Sequence, residues 1–214
     1  MKCEAYVDGA CIGNPGPGGW GFHLKVPGQP PFEHSGGYKD TTNNQMELMA
    51  AIGCLMHVRG LKAAGTPIEQ LTIITDSQYV KNGITSWIVG WKKKGWVNSN
   101  REPVKNKDIW MKLDSLRDCP FAVEWKWVKG HSGNPGNDRA DALATAAAKR
   151  YMRGQETLEL TGNADQKPQS GVATVVPVRS IIAMGFDKVL RDFKADGLTR
   201  AEAMAAIESV FPTS

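Results

Sequence analysis

The stretch Leu71-Thr72-Ile73-Ile74-Thr75, followed at once by Asp76, constrains the fold of this chain more than any other. It is short, apolar or β-branched throughout, and bounded by turn formers. A strand apolar on both faces must be covered on both faces, so 71–75 reads as a buried central strand. Residues 2–8, 19–26 and 31–39 read as strands joined by turns, and 121–128 (FAVEWKWV) alternates as another. Residues 43–59 place Met46, Leu48, Met49, Ile52, Leu55 and Met56 at helical spacing. A short helix is expected after Asp76, and longer ones over 104–117 and the Ala-rich 137–150. Three early strands followed by helix–strand alternation predict an α/β chain, with a mixed five-stranded sheet flanked by helices.

Four acids take notable places on this frame. Asp8 is read as ending the first strand and Asp76 as ending the buried one. Glu47 and Asp141 are read as lying in first turns of helices. Each has an ordinary explanation, since a first-turn acid complements the helix dipole and an acid after a strand forms a turn. Yet sites in open α/β sheets gather at the carboxyl ends of central strands and the adjacent helix starts. Four carboxylates meeting there would repel one another unless cations neutralised them. Carboxylate oxygens suit hard ions such as Mg2+ or Mn2+, and a pair of such ions is a device for in-line displacement at phosphorus.

Charge points the same way. Residues 1–150 hold 19 Lys and Arg against 14 Asp and Glu, whereas 151–214 hold 7 against 8. Lys92, Lys93, Lys94, Arg101, Lys105 and Lys107 face only Glu102 between positions 92 and 107, which suggests a polyanionic partner; a solvated loop is the plainer reading. The four cysteines lack C-x-x-C spacing and read as reduced thiols. No apolar stretch approaches a membrane span, and MKCEAYVD runs directly into strand-like sequence without room for a signal peptide. A cytoplasmic protein is the expectation.

The stretches YVDGACIGNPGPGGWGF, TTNNQMELMAAI, TDSQYV, WIVGWKKKGW, PVKNKDIW and VEWKWVKGHSGNPGNDRADALA occur in one order over about residues 1–150. Taken together they resemble ribonuclease H type 1 of the bacterial form. The resemblance implies a ribonuclease H-like fold and an endonuclease that cuts the RNA strand of RNA–DNA hybrids, leaving 5′-phosphate and 3′-hydroxyl ends. It implies two Mg2+ ions per site, with Mn2+ as an alternative. Asp8 would bridge them, Glu47 and Asp76 would hold the ion beside the leaving group, and Asp141 would complete the site of the other. His131 is implied to assist proton movement or product departure, with Gly130, Gly133 and Gly136 letting its loop swing. A catalytically silent hybrid-binding module on the same fold is the alternative, which loss of one carboxylate would favour; all four are present.

The resemblance also implies substrate contacts. Cys11 and Asn14 in the loop after Asp8, together with Thr42, Asn43, Asn44 and Gln78, would face the minor groove and backbone of the hybrid, where amides can recognise a ribose 2′-OH. The glycines after Asp8 are read as allowing close approach to the nucleic acid, and TTNN as also carrying the helix N-cap. Segment 84–110 would be a basic handle in which Lys92, Lys93 and Lys94 neutralise phosphates. Trp87 would contact substrate, while Trp91, Trp96 and Trp110 pack the handle's own core.

The match ends near residue 152. Residues 153–176 read as a flexible linker. Residues 177–214 read as a small helical extension, with Gly197 ending one helix and Thr199 and Glu202 boxing the start of another. A hairpin that docks on the catalytic domain, self-associates or binds a partner protein is the preferred reading, and a ubiquitin-associated-type three-helix module the alternative.

Overall fold

A computed structural model of the chain describes residues 1–154. The linker, the two C-terminal helices and the module expected over 155–214 lie outside the described residues. Among those described, no helix is long and apolar enough to cross a membrane.

Strands β1 (Lys2–Cys11), β2 (Gly16–Lys25) and β3 (Phe32–Thr41) form an antiparallel meander. Helix α1 (Asn43–Ala63) crosses to β4 (Gln70–Thr75), which pairs parallel to β1. The chain then runs through α2 (Gln78–Asn82), a π-helical turn over Gly83–Trp87, α3 (Ile88–Lys93) and α4 (Lys107–Ser115). Strand β5 (Ala122–Trp127) adds parallel to β4, and α5 (Pro135–Met152) closes the described fold. The sheet order is β3-β2-β1-β4-β5, so β1 and β4 are central, flanked by pairs of opposite sense. The mixed five-stranded sheet flanked by helices is as expected.

The two sheet faces are built differently, and register shows why. Tyr6 stands opposite His23 and Asp8 opposite Gly21, so these four share one face; Val7 and Phe22, and Ala5 and Leu24, share the other. The second face is rich in large apolar groups. Trp20, Phe22, Leu24, Leu71 and Ile73 are buried there with Met46, Leu48, Ile52 and Leu55 of α1. Helix α1 packs on the sheet and on α4, which explains why it is buried nearly all round and runs past the expected end at 59. The first face is thin. There Ala140, Ala144, Ala147 and Ala148 of α5 lie on the glycines of β2, and a Cβ added at Gly19 would stand 2.2 Å from the Ala144 carbonyl oxygen.

Several boundaries move. Strand β1 continues to Cys11, so Asp8 lies inside it rather than at its end. Its parallel pairing with β4 stops at Tyr6–Ile74, and the next same-face residues on the two diverging strands are Asp8 and Asp76. Helix α5 starts at Pro135 rather than 137, because Asn134 accepts from the Gly136 and Asn137 amides and proline at N1 has no amide to satisfy. Asp141 and Glu47 therefore sit in second turns, not first, and the dipole explanation passes from Asp141 to Asp138. Helix α4 begins later than 104, after Asn106 in the left-handed region at φ 60°.

The glycines after Asp8 serve packing more than openness. A Cβ at Gly9 would lie 2.2 Å from the Glu47 amide nitrogen and 2.4 Å from the Met46 carbonyl carbon. Its absence lets α1 settle on β1. Backbone atoms cannot rotate aside, so Gly9→Ala is expected to lower stability by about 1–3 kcal/mol, read as a reduced urea midpoint with unchanged m-value.

Candidate active site

Asp8 is the buried centre of the site. Its side chain projects on the α5 face, its residue is 7% exposed, and Oδ1 accepts from the Gly9 amide at 2.7 Å. Burial and then the neighbouring Asp76 push its pKa up to about 8, with further upward contributions from Asp141 and Glu47 against the Gly9 hydrogen bond. Asp8 thus feels the other three acids, each supplied by a different element. Asp76 follows β4, Asp141 projects from α5, and Glu47 arrives from the opposite side of the sheet on α1. The close approach at Gly9 brings Glu47 round to the cluster.

Each outer carboxylate is held by a donor that the sequence reading did not single out for the task. Ser77 caps α2, accepting from the Val80 amide, while its hydroxyl donates to Glu47 Oε2. Asn43 Nδ2 donates to Glu47 Oε1 at 2.8 Å. Burial, opposed by the Ser77 bond and reinforced by Asp76, pushes Glu47 up to about 7. Asn137 Nδ2 donates to Asp76 Oδ2 at 3.1 Å, while Asn137 Oδ1 is buried without a hydrogen-bond partner. Trp127 Nε1 fixes the Asp76 carbonyl at 2.8 Å. Thr145 donates to Asp141 Oδ1 at 3.3 Å. The legible signals were modest: Ser77 follows Asp76 directly, and Asn137 stands four residues before Asp141 on one helix face.

No three His, Cys, Asp or Glu side chains among the described residues already converge as a ready metal-ligand set. Glu47, Asp76 and Asp141 are each held by their own hydrogen-bond donors. The donor set nonetheless fits hard cations. It is all oxygen, burial and then neighbouring carboxylates raise the proton affinity of Asp8 and Glu47, and a cation would relieve both effects.

His131 is exposed at φ 50° in the loop before α5. The three neighbouring glycines, expected to let the loop swing, differ in their surroundings. A Cβ at Gly130 would stand 2.7 Å from Asp76 Oδ2, and one at Gly136 would enter the Tyr6 ring at 2.4 Å; both glycines permit close packing. Gly133, at φ 79° with open space around it, is the one of left-handed geometry.

The expected substrate contacts form two groups. In the first, Asn14 Oδ1 accepts from the Asn43 amide at 3.0 Å, joining the β1–β2 loop to the start of α1. Thr42 caps that helix in a reciprocal box with Gln45. Cys11 is half-buried with Sγ 3.4 Å from the Thr41 carbonyl oxygen, Asn44 is half-buried, and Gln78 is exposed beside Asp76. In the second, Trp87 is 41% exposed whereas Trp110 is fully buried with Nε1 donating to Tyr79 at 2.8 Å. Trp91 and Trp96 are half-buried, and Trp91 packs on Trp110 at 5.4 Å between centroids. Lys93 and Lys94 are exposed, but Lys92 Nζ pairs with Asp114 at 2.7 Å. Lys92 therefore ties the handle to α4 as well as adding charge.

Comparison with known proteins places this geometry. A family model for RNase H matches residues 1–149. Ribonuclease H of Aeromonas salmonicida is 55% identical over 159 residues, covering 74% of this chain and 95% of that protein. Ribonuclease H of Jannaschia sp. is 50% identical over 155 residues, covering 71% and 94%. Among solved structures, LC9-RNase H1, described as a type 1 RNase H with the type 2 active-site motif, superposes with a TM-score of 0.60 at 30% identity, covering 73% of this chain and 74% of that one.

The raised acids make stability depend on pH. An Asp8 carboxyl that titrates near 8 when folded, against 3.8 as the reference value, binds its proton more tightly in the folded state. Folding is then progressively destabilised as pH rises from about 4 to about 8. In chelator-treated buffer, Asp8→Asn is expected to melt higher than the parent at pH 8, with the gap closing towards pH 4. Parallel thermal melts across that range check it.

Proposed function

The chain belongs to the RNase H family, and on that premise we propose that it is a nuclease that hydrolyses the RNA strand of RNA–DNA hybrids. The observation that carries the reading is the gathering of three carboxylates from three elements around the buried Asp8. A silent binding module has no use for a cluster that its fold must hold against mutual repulsion.

Asp8, Glu47, Asp76 and Asp141 are the residues that would hold Mg2+ or Mn2+, two ions per site. When bound, such ions lower the pKa of an attacking water and offset the charge on the departing 3′-oxygen, consistent with 5′-phosphate and 3′-hydroxyl ends. The protein's part is preorganisation. Ser77 and Asn43 hold the two oxygens of Glu47, Asn137 holds one oxygen of Asp76, and Thr145 holds one of Asp141. His131, exposed in the loop that Gly130 seats against Asp76, would accept or release a proton as product leaves.

Substrate selection follows from the two surfaces beside the cluster. Asn14, Asn43, Asn44, Thr42, Cys11 and Gln78 would face the hybrid, the amides and hydroxyl among them able both to donate to and to accept from a 2′-OH. The handle offers Lys93 and Lys94 to phosphates and Trp87 to a sugar or base face.

Mg2+-dependent cleavage of a labelled RNA–DNA hybrid, with RNA–RNA and DNA–DNA duplexes left intact, is the expected result. Asp8→Asn should abolish it while circular dichroism and hybrid binding persist; substantial turnover by that folded variant would defeat the site assignment. Replacing Lys93 and Lys94 with Ala should raise KM and make log K against log[salt] less steep by about 1.5. Lys92→Ala should change that slope less and melting temperature more, because its ammonium already has a carboxylate partner.

A further inference from the structure

Helix α5 carries Asp141 across a sheet face that gives it little to grip. Gly19 and Gly21 of β2 meet its alanines backbone to backbone, and a Cβ at Gly21 would lie 2.6 Å from Leu143 Cβ. Such a contact fixes the height of the helix above the sheet. It opposes sliding along β2 only weakly, because few side chains interlock. Gly136 against the Tyr6 ring and the Asn137–Asp76 hydrogen bond locate the start of α5; further restraint along the helix would fix its axial position, and with it the place of Asp141.

Polar ties on this face supply it. Arg139, two residues before Asp141, grips Glu33 of β3 with both arms of its fork: Nε to Oε1 at 2.8 Å and Nη2 to Oε2 at 2.6 Å. Glu33 Oε1 also lies 2.8 Å from His23 Nδ1. His23 stands directly opposite Glu33 on β2 and directly opposite Tyr6 on β1, two residues before Asp8. The Arg139 hydrogen bond, with help from His23, holds Glu33 below the usual carboxylate range, so it stays charged. Farther along α5, Arg150 Nη2 donates to Ser35 Oγ on β3 at 3.0 Å. One connected path thus runs from the strand that bears Asp8, through His23 and Glu33, to the turn of α5 that bears Asp141.

We propose that the Glu33–Arg139 fork, backed by His23, is a positioning device that sets Asp141 relative to Asp8 and so tunes the affinity of the carboxylate cluster for divalent cations. An exposed ion pair adds little stability, but a bidentate one fixes orientation, and orientation is what the smooth Ala–Gly contact lacks. Neither Glu33 nor Arg139 touches the cluster. The inference rests on the reading of that cluster as a cation site.

The test uses the full chain with Glu33→Gln and, separately, Arg139→Lys, which keeps the charge but loses the fork. Mg2+ and Mn2+ binding is measured by calorimetry without nucleic acid, alongside melting temperature and the Mg2+ dependence of kcat and KM on hybrid. Both variants should stay folded and bind Mg2+ about tenfold more weakly. Their kcat should fall at limiting Mg2+ and recover at saturating Mg2+, with KM for hybrid nearly unchanged. A lower melting temperature with unchanged cation affinity would overturn the proposal and leave the fork as a staple only. An effect in Glu33→Gln that is absent in Arg139→Lys would also overturn it, since charge rather than fork geometry would then be responsible. A parent protein that binds no divalent cation overturns the cluster reading, and this inference with it.

Discussion

Everything in the described fold depends on how closely two helices approach the sheet from opposite sides. Helix α1 meets β1 at Gly9 and α5 meets β2 at Gly19, each at a separation where a Cβ would collide with backbone, and at Gly21 a Cβ would collide with Leu143 Cβ. Close approach at these points lets short acidic side chains from separate layers share one place. Asp and Glu reach only a few ångströms from their backbones, so a sheet with ordinary side chains at those positions would keep the layers too far apart.

That proximity has an electrostatic consequence. A buried carboxylate with three acidic neighbours holds its proton up to about pH 8, and Glu47 holds its own up to about pH 7. The protein meets this repulsion with a separate donor for each outer acid, namely Ser77 and Asn43, Asn137, and Thr145. Those donors restrain the side chains and leave the site's demand for positive charge unmet. A bound cation would relieve the same burial and like-charge repulsion that weaken the fold.

The handle is organised by a different force. Tyr79 sits edge-on to Trp110 at 5.3 Å and to Trp87 at 6.1 Å, and Trp91 packs on both tryptophans. This aromatic stack supports the exposed lysines of the handle. Trp87, at the outer end, is the member left open to solvent, while Lys92 is drawn back onto Asp114. A run of three adjacent lysines is thereby divided into one paired with Asp114 and two with no carboxylate partner among the described residues, a distinction that composition cannot make.

The sequence by itself determined the strand and helix inventory, because alternation, 3.6-residue spacing and the apolar run 71–75 each report local geometry directly. It also named Asp8, Glu47, Asp76 and Asp141 as acids that could meet, and in the structure Asp8 feels the other three. Tertiary structure alone decided the rest. It carried β1 past Asp8, because pairing with β2 continues after pairing with β4 has ended. It moved Glu47 and Asp141 into second turns, which removed the helix-dipole explanation for both. It seated Gly9, Gly19 and Gly21 against α1 and α5, and left Gly13 in the open at φ 84°. It also chose Ser77, Asn137, Glu33 and Arg139, whose partners lie 30 to 106 positions away along the chain. Such partnerships leave no periodic mark in the sequence. They exist only once the sheet order β3-β2-β1-β4-β5 brings those backbones together.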